Sequence, residues 1–299
     1  MIGLLLIDKP QGITSFSAVN RVKRKANEKR VGHTGTLDPM ATGVLPVLLG
    51  RATALSSLLL EGDKRYIAEI KLGVATDTDD ITGTVLSENP VNITPEELEN
   101  AVNSFLGVID QLPPAYSAIK KDGVRLYKLA REGKSADIPS RKVEIYSADI
   151  LEGLNDENVF KVEFFVSKGT YIRSLARDLG EKLGCKATLF SLRRVKTSQF
   201  NIEDCIPLDD LDEANIRDFI LSEETVVSHL KEIFVTEKQA VRFCNGGQLA
   251  FDRLNISTDG FTHGELFRIK HNNIFIGVGY ADLEKKEVAI KCVIRNFNA

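Results

Sequence analysis

The sequence of 299 residues contains no tryptophan, two methionines and only four cysteines. Cys185, Cys205, Cys244 and Cys292 form no CxxC pair, and the four histidines do not cluster with them. A zinc site or a disulfide framework is therefore not expected. This cysteine usage is typical of a protein in a reduced, cytoplasmic setting.

Long apolar runs and targeting signals are also missing. No segment approaches the roughly 18 consecutive apolar residues that indicate a membrane helix. The start of the chain, residues 1–7, is apolar, but it lacks a basic region and continues directly into Asp8 and Lys9. It predicts a buried strand and not a signal peptide. We therefore expect a cytoplasmic protein without a membrane partner.

The composition that is present, with 43% hydrophobic and 27% charged residues, is that of an ordinary globular protein. A net charge of -3 argues, taken alone, against nucleic-acid binding. The charge is nevertheless distributed in blocks, because residues 1–65 and 116–198 are basic while residues 66–115 and 199–232 are acidic. Basic residues collected on one face could meet phosphates, although a chance alternation of solvated faces explains the blocks equally well.

Hydrophobic periodicity predicts mixed helices and strands through the first 200 residues. Alternating strands are predicted at 66–72 and 160–166, and helices at 15–26, after the Thr94 capping box, and between Gly169 and Gly184. From about Ile233 the pattern changes to a short helix at 236–244 and strands at 265–270, 274–279 and 287–294. We therefore expect two domains, residues 1–232 and a smaller β-rich domain at 233–299.

The densest run of functional residue types is GHTGTLDPMATGVLP at residues 32–46. It is not a phosphate-binding loop, because the pattern G-x-x-x-x-G-K-[ST] is absent from the chain. No second carboxylate, metal-ligand set or Ser-His-Asp spacing accompanies Asp38. A single loop aspartate is more often a turn or cap residue than a nucleophile. The residues alone leave both interpretations of Asp38 open.

Further motifs surround this loop in a fixed order: IDKPQG at 7–12, KRY at 64–66, LPPAYSAIK at 112–120, GVRLY at 123–127, SKGTYIR at 167–173 and LRR at 192–194. The ordered set, over about residues 3–200, resembles the TruB family, the bacterial tRNA pseudouridine synthases that isomerise uridine 55 of the T-loop. The C-terminal part resembles, more weakly, the PUA RNA-binding domain. One departure is Ala54, where many relatives have a lysine, and it touches no expected catalytic atom.

The resemblance implies an α+β fold in which a catalytic domain with a largely antiparallel central sheet precedes a small β-barrel-like PUA domain. It implies a monomer that acts on the T-arm and T-loop of tRNA and that plausibly also assists tRNA folding. The reaction flips uridine 55 out, breaks its N1–C1′ bond, turns the uracil and joins C5 to C1′. It uses no cofactor and no metal.

The resemblance also assigns roles by motif. Asp38 matches the catalytic aspartate, and Tyr66 matches the tyrosine that stacks on the flipped base. Tyr171 matches a substrate-contacting tyrosine, Arg173 an arginine that pairs with the aspartate and keeps it ionised, and Leu192 an apolar residue of the uracil pocket. Three of them have a structural alternative, which is a core position for Tyr66 and Leu192 and a surface helix position for Arg173.

Further expected site residues surround these five. His33 matches a histidine near the flipped base, and Lys9 with Pro10 matches a motif that shapes the pocket wall. Residues 116–143 resemble an insertion that grips the T-arm, and its basic residues are available for phosphates: Lys120, Lys121, Arg125, Lys128, Arg131 and Lys134.

Two other functions remain open at this point. The protein could be a tRNA-binding or tRNA-folding module whose activity is incidental, or a glycosidase with an aspartate nucleophile. The lack of a paired carboxylate counts against the glycosidase. The sequence also leaves open whether Asp38 attacks C1′ or promotes a glycal-type intermediate.

Overall fold

The structure is a computed structural model of the chain. It describes residues 1–116, 139–254, 257 and 259–295, and for residues 120–121 and 124–125 it describes the backbone alone. The six basic residues that were expected to grip RNA have side chains outside the described part, so those assignments stay predictions: Lys120, Lys121, Arg125, Lys128, Arg131 and Lys134.

Fourteen described strands precede residue 210. In chain order they are β1 (Gly3–Lys9), β2 (Val31–His33), β3 (Thr42–Leu49), β4 (Lys64–Leu72), β5 (Val74–Thr76), β6 (Val85–Glu88), β7 (Gly107–Gln111), β8 (Lys120–Lys121), β9 (Val124–Arg125), β10 (Arg141–Glu152), β11 (Val159–Val166), β12 (Ala187–Thr197), β13 (Phe200–Asn201) and β14 (Ile206–Pro207).

Ten of these strands form one large sheet. Its order is β14-β1-β3-β12-β4-β11-β10-β7, with β2 beside β3 and β13 beside β12. Described neighbours pair antiparallel except at β1–β14 and β3–β12. The largely antiparallel central sheet expected from the sequence is therefore confirmed. The hairpins β5–β6 and β8–β9 lie outside it.

The described α-helices are α1 (Ser15–Lys25), α2 (Ser56–Leu60), α3 (Pro95–Asn103), α4 (Ile172–Lys182) and α5 (Glu237–Cys244). Thr14 caps α1 by accepting from the Ser17 N–H, and Thr94 forms the predicted capping box with Glu97. Short 3-10 turns follow in the acidic stretch, at Ile202–Asp204, Leu208–Asp210, Ile216–Phe219 and Glu223–Val227.

Strand β1 is apolar without alternation because both of its faces are covered. Leu5 and Ile7 pack in a cluster with α1, whereas Leu4 and Leu6 pack in a cluster that includes Phe275 of the C-terminal sheet. The N-terminal run is thus the buried strand predicted for it.

Strand β4 alternates instead, since one face is buried and the other only half-buried. Its buried residues from Tyr66 to Leu72 pack in one cluster with apolar residues of α3 and α4. Leu175 and Leu179 of α4 belong to this cluster, as their helical spacing predicts. The cluster fixes the start of α4 against the face of β4 that carries Tyr66.

The C-terminal sheet has the order β15-β17-β18-β19-β16, formed by β15 (Lys231–Phe234), β16 (Leu249–Ala250), β17 (Leu266–His271), β18 (Ile274–Asp282) and β19 (Glu287–Val293). The three predicted strands correspond to β17, β18 and β19. The sheet begins at Lys231, and ion pairs of 2.7 Å join Arg295 to Glu223 and Arg268 to Glu224. Apolar and ionic contacts therefore both join this sheet to the rest of the chain.

Two negative findings apply to the described residues. No described helix is long and apolar enough to cross a membrane. Among the described residues, no group of three or more His, Cys, Asp or Glu side chains is arranged to hold a metal ion.

Candidate active site

A cavity of about 630 Å³ opens beside the loop at residues 35–38. Its lining comes from that loop, from β4 and β12, from the start of β10, and from the segment that leads into α4. The cavity brings together five of the predicted site residues: Asp38, Tyr66, Tyr171, Arg173 and Leu192.

Hydrogen bonds from other elements hold the 35–38 loop. Ser15, the first residue of α1, accepts from the Leu37 backbone N–H at 2.8 Å and donates to the Leu37 carbonyl at 2.9 Å. Arg194 of β12 donates from Nη2 to the Gly35 carbonyl at 2.8 Å. Gly35 has a φ of +66°, a left-handed conformation that suits glycine. Asp38 therefore extends from a backbone that is fixed on both sides.

Arg173 holds the Asp38 carboxylate. Its Nε lies 2.9 Å from Asp38 Oδ2, and its Nη1 and Nη2 donate to the carbonyls of Thr78 and Tyr116 at 3.0 and 2.9 Å. The Arg173 side chain is only 6% exposed, whereas that of Asp38 is 39% exposed towards the cavity. The surface-helix alternative for Arg173 is therefore wrong, because the first turn of α4 faces the cavity.

The pKa of Asp38 is raised above its ordinary value. Burial of the carboxylate is the largest cause, and the nearby charge of Asp80 adds to it. The Arg173 guanidinium acts in the opposite direction, as does the more distant ammonium of Lys9. The Arg173 charge therefore acts in the direction that the resemblance implied, but it offsets burial only in part.

Asp80 was not singled out by the sequence. Its side chain is 7% exposed, and Oδ2 lies 3.8 Å from Arg173 Nη1. Oδ1 accepts from the Thr82 backbone N–H at 3.0 Å and from the Thr78 hydroxyl at 3.0 Å. Asp80 thus contacts a different guanidinium nitrogen of Arg173 from Asp38, and the three residues form an ion-pair chain Asp38–Arg173–Asp80. The acid-rich and threonine-rich run at residues 76–82 was the available signal.

Tyr66 and Leu192 contribute apolar surface to the cavity. Tyr66 is 8% exposed on β4, and Leu192 is 9% exposed on the neighbouring β12. Both belong to the same buried cluster as α4. The core and cavity interpretations of these residues are therefore compatible, since each side chain packs in the core and lines the cavity.

Tyr171 directly precedes α4, and its backbone is fixed by Gln111 of β7. The Tyr171 N–H donates to Gln111 Oε1 at 2.8 Å, and Gln111 Nε2 donates to the Tyr171 carbonyl at 3.0 Å. The centre of the Arg141 guanidinium lies 4.3 Å from the centroid of the Tyr171 ring, a cation–π contact. Tyr171 therefore stands in the cavity wall on a backbone that is held from both directions.

Three predicted residues lie behind or beside the cavity and do not line its described surface: Lys9, Pro10 and His33. Lys9 is fully buried and donates from Nζ to the carbonyls of Pro10 and Ile13 at 2.9 and 2.8 Å. Burial lowers the pKa of Lys9 to about 8, against the opposing effect of Asp38. His33 Nε2 lies 3.2 Å from the Thr36 hydroxyl, and burial lowers the pKa of His33.

Arg194 is a second residue that sequence reasoning did not assign to the site. It is 1% exposed, and its Nε donates to the Val44 carbonyl at 2.8 Å. Its contacts tie β12 to Gly35 at the start of the loop and to Val44 of β3, the strand that follows the loop. The alternation of a strand places Arg194 on the same face as Leu192, and that spacing was the available signal.

Comparisons with known proteins show the family of this chain. The family model of the TruB family pseudouridylate synthase N-terminal domain matches residues 23–172, and that of the tRNA pseudouridylate synthase B C-terminal domain matches residues 173–233. The chain is 44% identical over 282 residues to tRNA pseudouridine synthase B of Clostridium tetani, covering 93% of this chain and 95% of that protein. For the protein of the same name from Clostridium acetobutylicum the identity is 46% over 254 residues, 85% of this chain and 87% of the relative.

Solved structures with the same fold were also found. The fold matches a chain in the crystal structure of the archaeal box H/ACA sRNP Nop10-Cbf5 complex with a TM-score of 0.74 and 26% identity, over 99% of this chain and 87% of that chain. It matches a chain in the structure of an H/ACA RNP bound to a substrate RNA containing 2′-deoxyuridine with a TM-score of 0.73 and 26% identity, over 98% and 85%. The family models and the curated relatives show that this chain belongs to the TruB family of pseudouridylate synthases.

Proposed function

We propose that this member of the TruB family converts uridine 55 in the T-loop of tRNA to pseudouridine, with Asp38 as its catalytic residue. The observation that carries the proposal is the Asp38 carboxylate, held 2.9 Å from Arg173 in a cavity that it shares with Tyr66. The name tRNA pseudouridine synthase B, borne by the curated relatives, supports tRNA as the substrate class.

A uridine in a folded loop must leave its stack to reach this carboxylate. The cavity volume of about 630 Å³ is within the range of small-ligand pockets. Tyr66 offers an aromatic face to the flipped base, and stacking of this kind contributes about 1–3 kcal/mol per base. Leu192 adds an apolar surface that favours a base over water.

The chemistry is an isomerisation. The N1–C1′ bond breaks, the uracil turns inside the cavity, and C5 bonds to C1′. C5 loses a proton and N1 gains one, so no co-reactant is consumed. Asp38 either bonds to C1′ and is displaced when C5 attacks, or removes a sugar proton to give a glycal-type intermediate. The cavity must retain the free uracil until C5 has bonded.

Both routes begin with an ionised Asp38 carboxylate. The function of Arg173 in this proposal is to favour that ionised form and to hold it in place. Burial raises the pKa of Asp38, and the guanidinium of Arg173 supplies the largest opposing effect. Its Nη1 and Nη2 are used by the Thr78 and Tyr116 carbonyls. Arg173 is therefore a positioning residue, which fixes one carboxylate oxygen and leaves the carboxylate open to the cavity.

The remaining parts of the chain extend the contact with tRNA in this proposal. Residues 1–232 form the catalytic domain, with the insertion at 116–143 on the T-arm, and residues 233–299 form a PUA-type RNA-binding domain. The proposal describes a monomer that acts on tRNA in the cytoplasm and draws on no cofactor.

One assay tests the proposal. An unmodified tRNA transcript is incubated with the protein in a buffer that contains EDTA, and pseudouridine is mapped chemically along the RNA. We expect conversion at uridine 55 and nowhere else. Pseudouridine at another position, or none, overturns the site assignment. Release of free uracil identifies a glycosidase instead.

A further inference from the structure

One cation in the cavity wall differs from the others. Arg141, the first residue of β10, lies with its guanidinium centre 4.3 Å from the centroid of the Tyr171 ring. It is also close to Gly169, where a Cβ atom would be 3.5 Å from Arg141 Nη1. Gly169 has a φ of +82°, a left-handed conformation that suits glycine.

The nitrogen atoms of this guanidinium are not satisfied. Nε and Nη2 of Arg141 are buried, and neither has a hydrogen-bond acceptor in the part of the chain that the structure describes. Four other cations of the cavity have partners: Arg173 with Asp38, Arg194 with the Val44 carbonyl, Lys64 with the Leu60 carbonyl and Lys168 with Glu61. The remaining cation of the lining, Lys142, is exposed to solvent. Arg141 thus has two buried nitrogens without an acceptor in a site where the buried arginines Arg173 and Arg194 are matched.

This arrangement is suited to an anion from outside the protein. Arginine remains protonated under ordinary conditions, so its charge cannot be removed by loss of a proton. Burying a charge without a counterion costs free energy. A ligand that supplies the counterion removes this cost when it binds. Asp38 is the single carboxylate in the described lining, and Arg173 already occupies it.

We propose that Arg141 binds a phosphodiester of the substrate RNA next to the flipped nucleotide, an inference that rests on the proposed function. A flipped nucleotide brings its own 5′ and 3′ phosphates to the wall of the cavity. The planar guanidinium matches a phosphate through two parallel hydrogen bonds. A uracil carbonyl would also accept these bonds, but it would leave the charge of Arg141 without a counterion.

The position of Arg141 gives this contact a specific consequence. Its guanidinium contacts the Tyr171 ring, whose backbone is locked to Gln111. A phosphate held by Arg141 is therefore placed at a fixed distance from Tyr171, and so from Arg173 in the first turn of α4. The contact sets the register of the RNA strand relative to Asp38, without reading any base.

The test combines protein variants with substrates that lack one phosphate charge. Arg141→Gln and Arg141→Lys are compared with Lys142→Gln, the same loss of charge at the neighbouring position, which also lines the cavity but is exposed to solvent. Each is assayed on T-arm stem-loop RNAs that carry a single neutral methylphosphonate at successive linkages around the target uridine. For the unsubstituted RNA, we expect Arg141→Gln to raise KM about tenfold with little change in kcat. The slope of log affinity against log salt should fall by about one.

The decisive result is non-additivity at one linkage. One methylphosphonate should weaken binding to the wild type and to Lys142→Gln, but have no further effect on Arg141→Gln. Arg141→Lys should fall between them, because lysine keeps the charge and loses the planar fork. Additive effects at every linkage overturn the inference, as does non-additivity with a uracil analogue that lacks a carbonyl. Equal effects of Lys142→Gln and Arg141→Gln overturn it as well.

Two controls separate this inference from other failures. Thermal unfolding of Arg141→Gln should occur at or above the wild-type temperature, since an unmatched buried charge has been removed. A marked drop overturns the inference in favour of a structural role. If the wild type forms no pseudouridine, the proposed function fails, whereas unchanged kinetics of Arg141→Gln beside an active wild type defeats the phosphate contact alone. If inorganic phosphate raises the unfolding temperature of the wild type while no methylphosphonate has an effect, the site binds free phosphate. This result overturns the contact with RNA.

Discussion

Two regions of the molecule contain arginine–aspartate pairs in very different surroundings. In the cavity, Arg173 is 6% exposed and lies between Asp38 and Asp80. On the surface, Arg21 of α1 lies 2.8 Å from Asp209 of the acidic segment, with the two side chains 37% and 70% exposed. Lys25 of the same helix donates to the Leu211 carbonyl of that segment. The acidic segment therefore covers part of the basic helix.

The two pairs differ in exposure, and exposure decides how much an ion pair contributes to stability and to the site. An exposed pair is screened by water and salt and contributes little to stability. A buried pair contributes through its geometry, and loss of one member leaves a charge uncompensated in the interior. We infer that the surface pair mainly reduces the charge available to RNA, whereas the cavity pair sets the ionisation and direction of Asp38. Substitutions that break each pair test this distinction.

The largest effect is expected for Asp38→Asn. The amide keeps the size of the side chain but cannot attack C1′ or accept a proton as a carboxylate does, so turnover should fall by about 10⁴-fold or more. Affinity for tRNA should stay within a few-fold. Single-turnover pseudouridine mapping and filter binding measure the two quantities. Turnover within tenfold of the wild type would remove Asp38 from the catalytic role.

Arg173→Gln is expected to come next. It removes the charge that opposes burial, so the pKa of Asp38 should rise further and the acidic limb of kcat/KM should move to higher pH. It also leaves Asp38 and Asp80 without their cation, at a stability cost of about 3–5 kcal/mol. The pH profile and thermal unfolding measure these effects.

Asp80→Asn is the matched control for that pH shift. The charge of Asp80 raises the pKa of Asp38, so its removal should move the acidic limb to lower pH. If both variants acted only through the structure, the rate would fall, but the acidic limb of kcat/KM would not move to higher pH in Arg173→Gln and to lower pH in Asp80→Asn. Shifts of the same sign would contradict the assignment of the limb to Asp38.

Tyr66→Phe separates two functions of one side chain. The aromatic face is retained, so tRNA affinity should change little. If the hydroxyl moves a proton during the reaction, the rate should fall by about 10²-fold. Comparison with Tyr66→Leu, which removes the ring, gives the contribution of stacking. An unimpaired Phe variant would show that only the stacking face matters.

The sequence predicted some of the elements and five residues of the cavity lining, whereas the long strands β3, β10 and β12 were not predicted. Hydrophobic period and caps predicted α1, α3 and α4 to within about two residues at most ends. The motif match predicted that Asp38, Tyr66 and Arg173 meet, although they are far apart in the chain. The meeting itself depends on long-range pairing of β4 with β12, which no local pattern encodes.

The residues that were missed share one property, namely that their partners are backbone groups or distant carboxylates. Arg194 donates to the carbonyls of Val44 and Gly35, and the strand spacing that places it on the face of Leu192 does not reveal these partners. Asp80 acts through Arg173 and lies among polar residues that resemble an ordinary turn. Such contacts follow from the tertiary fold, so that local propensity could not predict them.

The smallest effects are expected at the surface pair. Asp209→Asn releases Arg21, and the free energy of unfolding should change by less than about 0.5 kcal/mol because both groups remain hydrated. Affinity for unrelated RNA should rise slightly, by about twofold, at low salt and return to the wild-type value at high salt. Asp210→Asn, the same charge change one residue away, measures the effect of net charge alone. If Asp209→Asn destabilised the protein as strongly as Arg173→Gln, exposure would not distinguish the two pairs, and the acidic segment would have to be regarded as part of the folding core. If instead only Asp209→Asn, and not Asp210→Asn, increased binding to unrelated RNA, the pair would be a specific restraint on the basic helix, which then leaves selectivity for tRNA to the cavity.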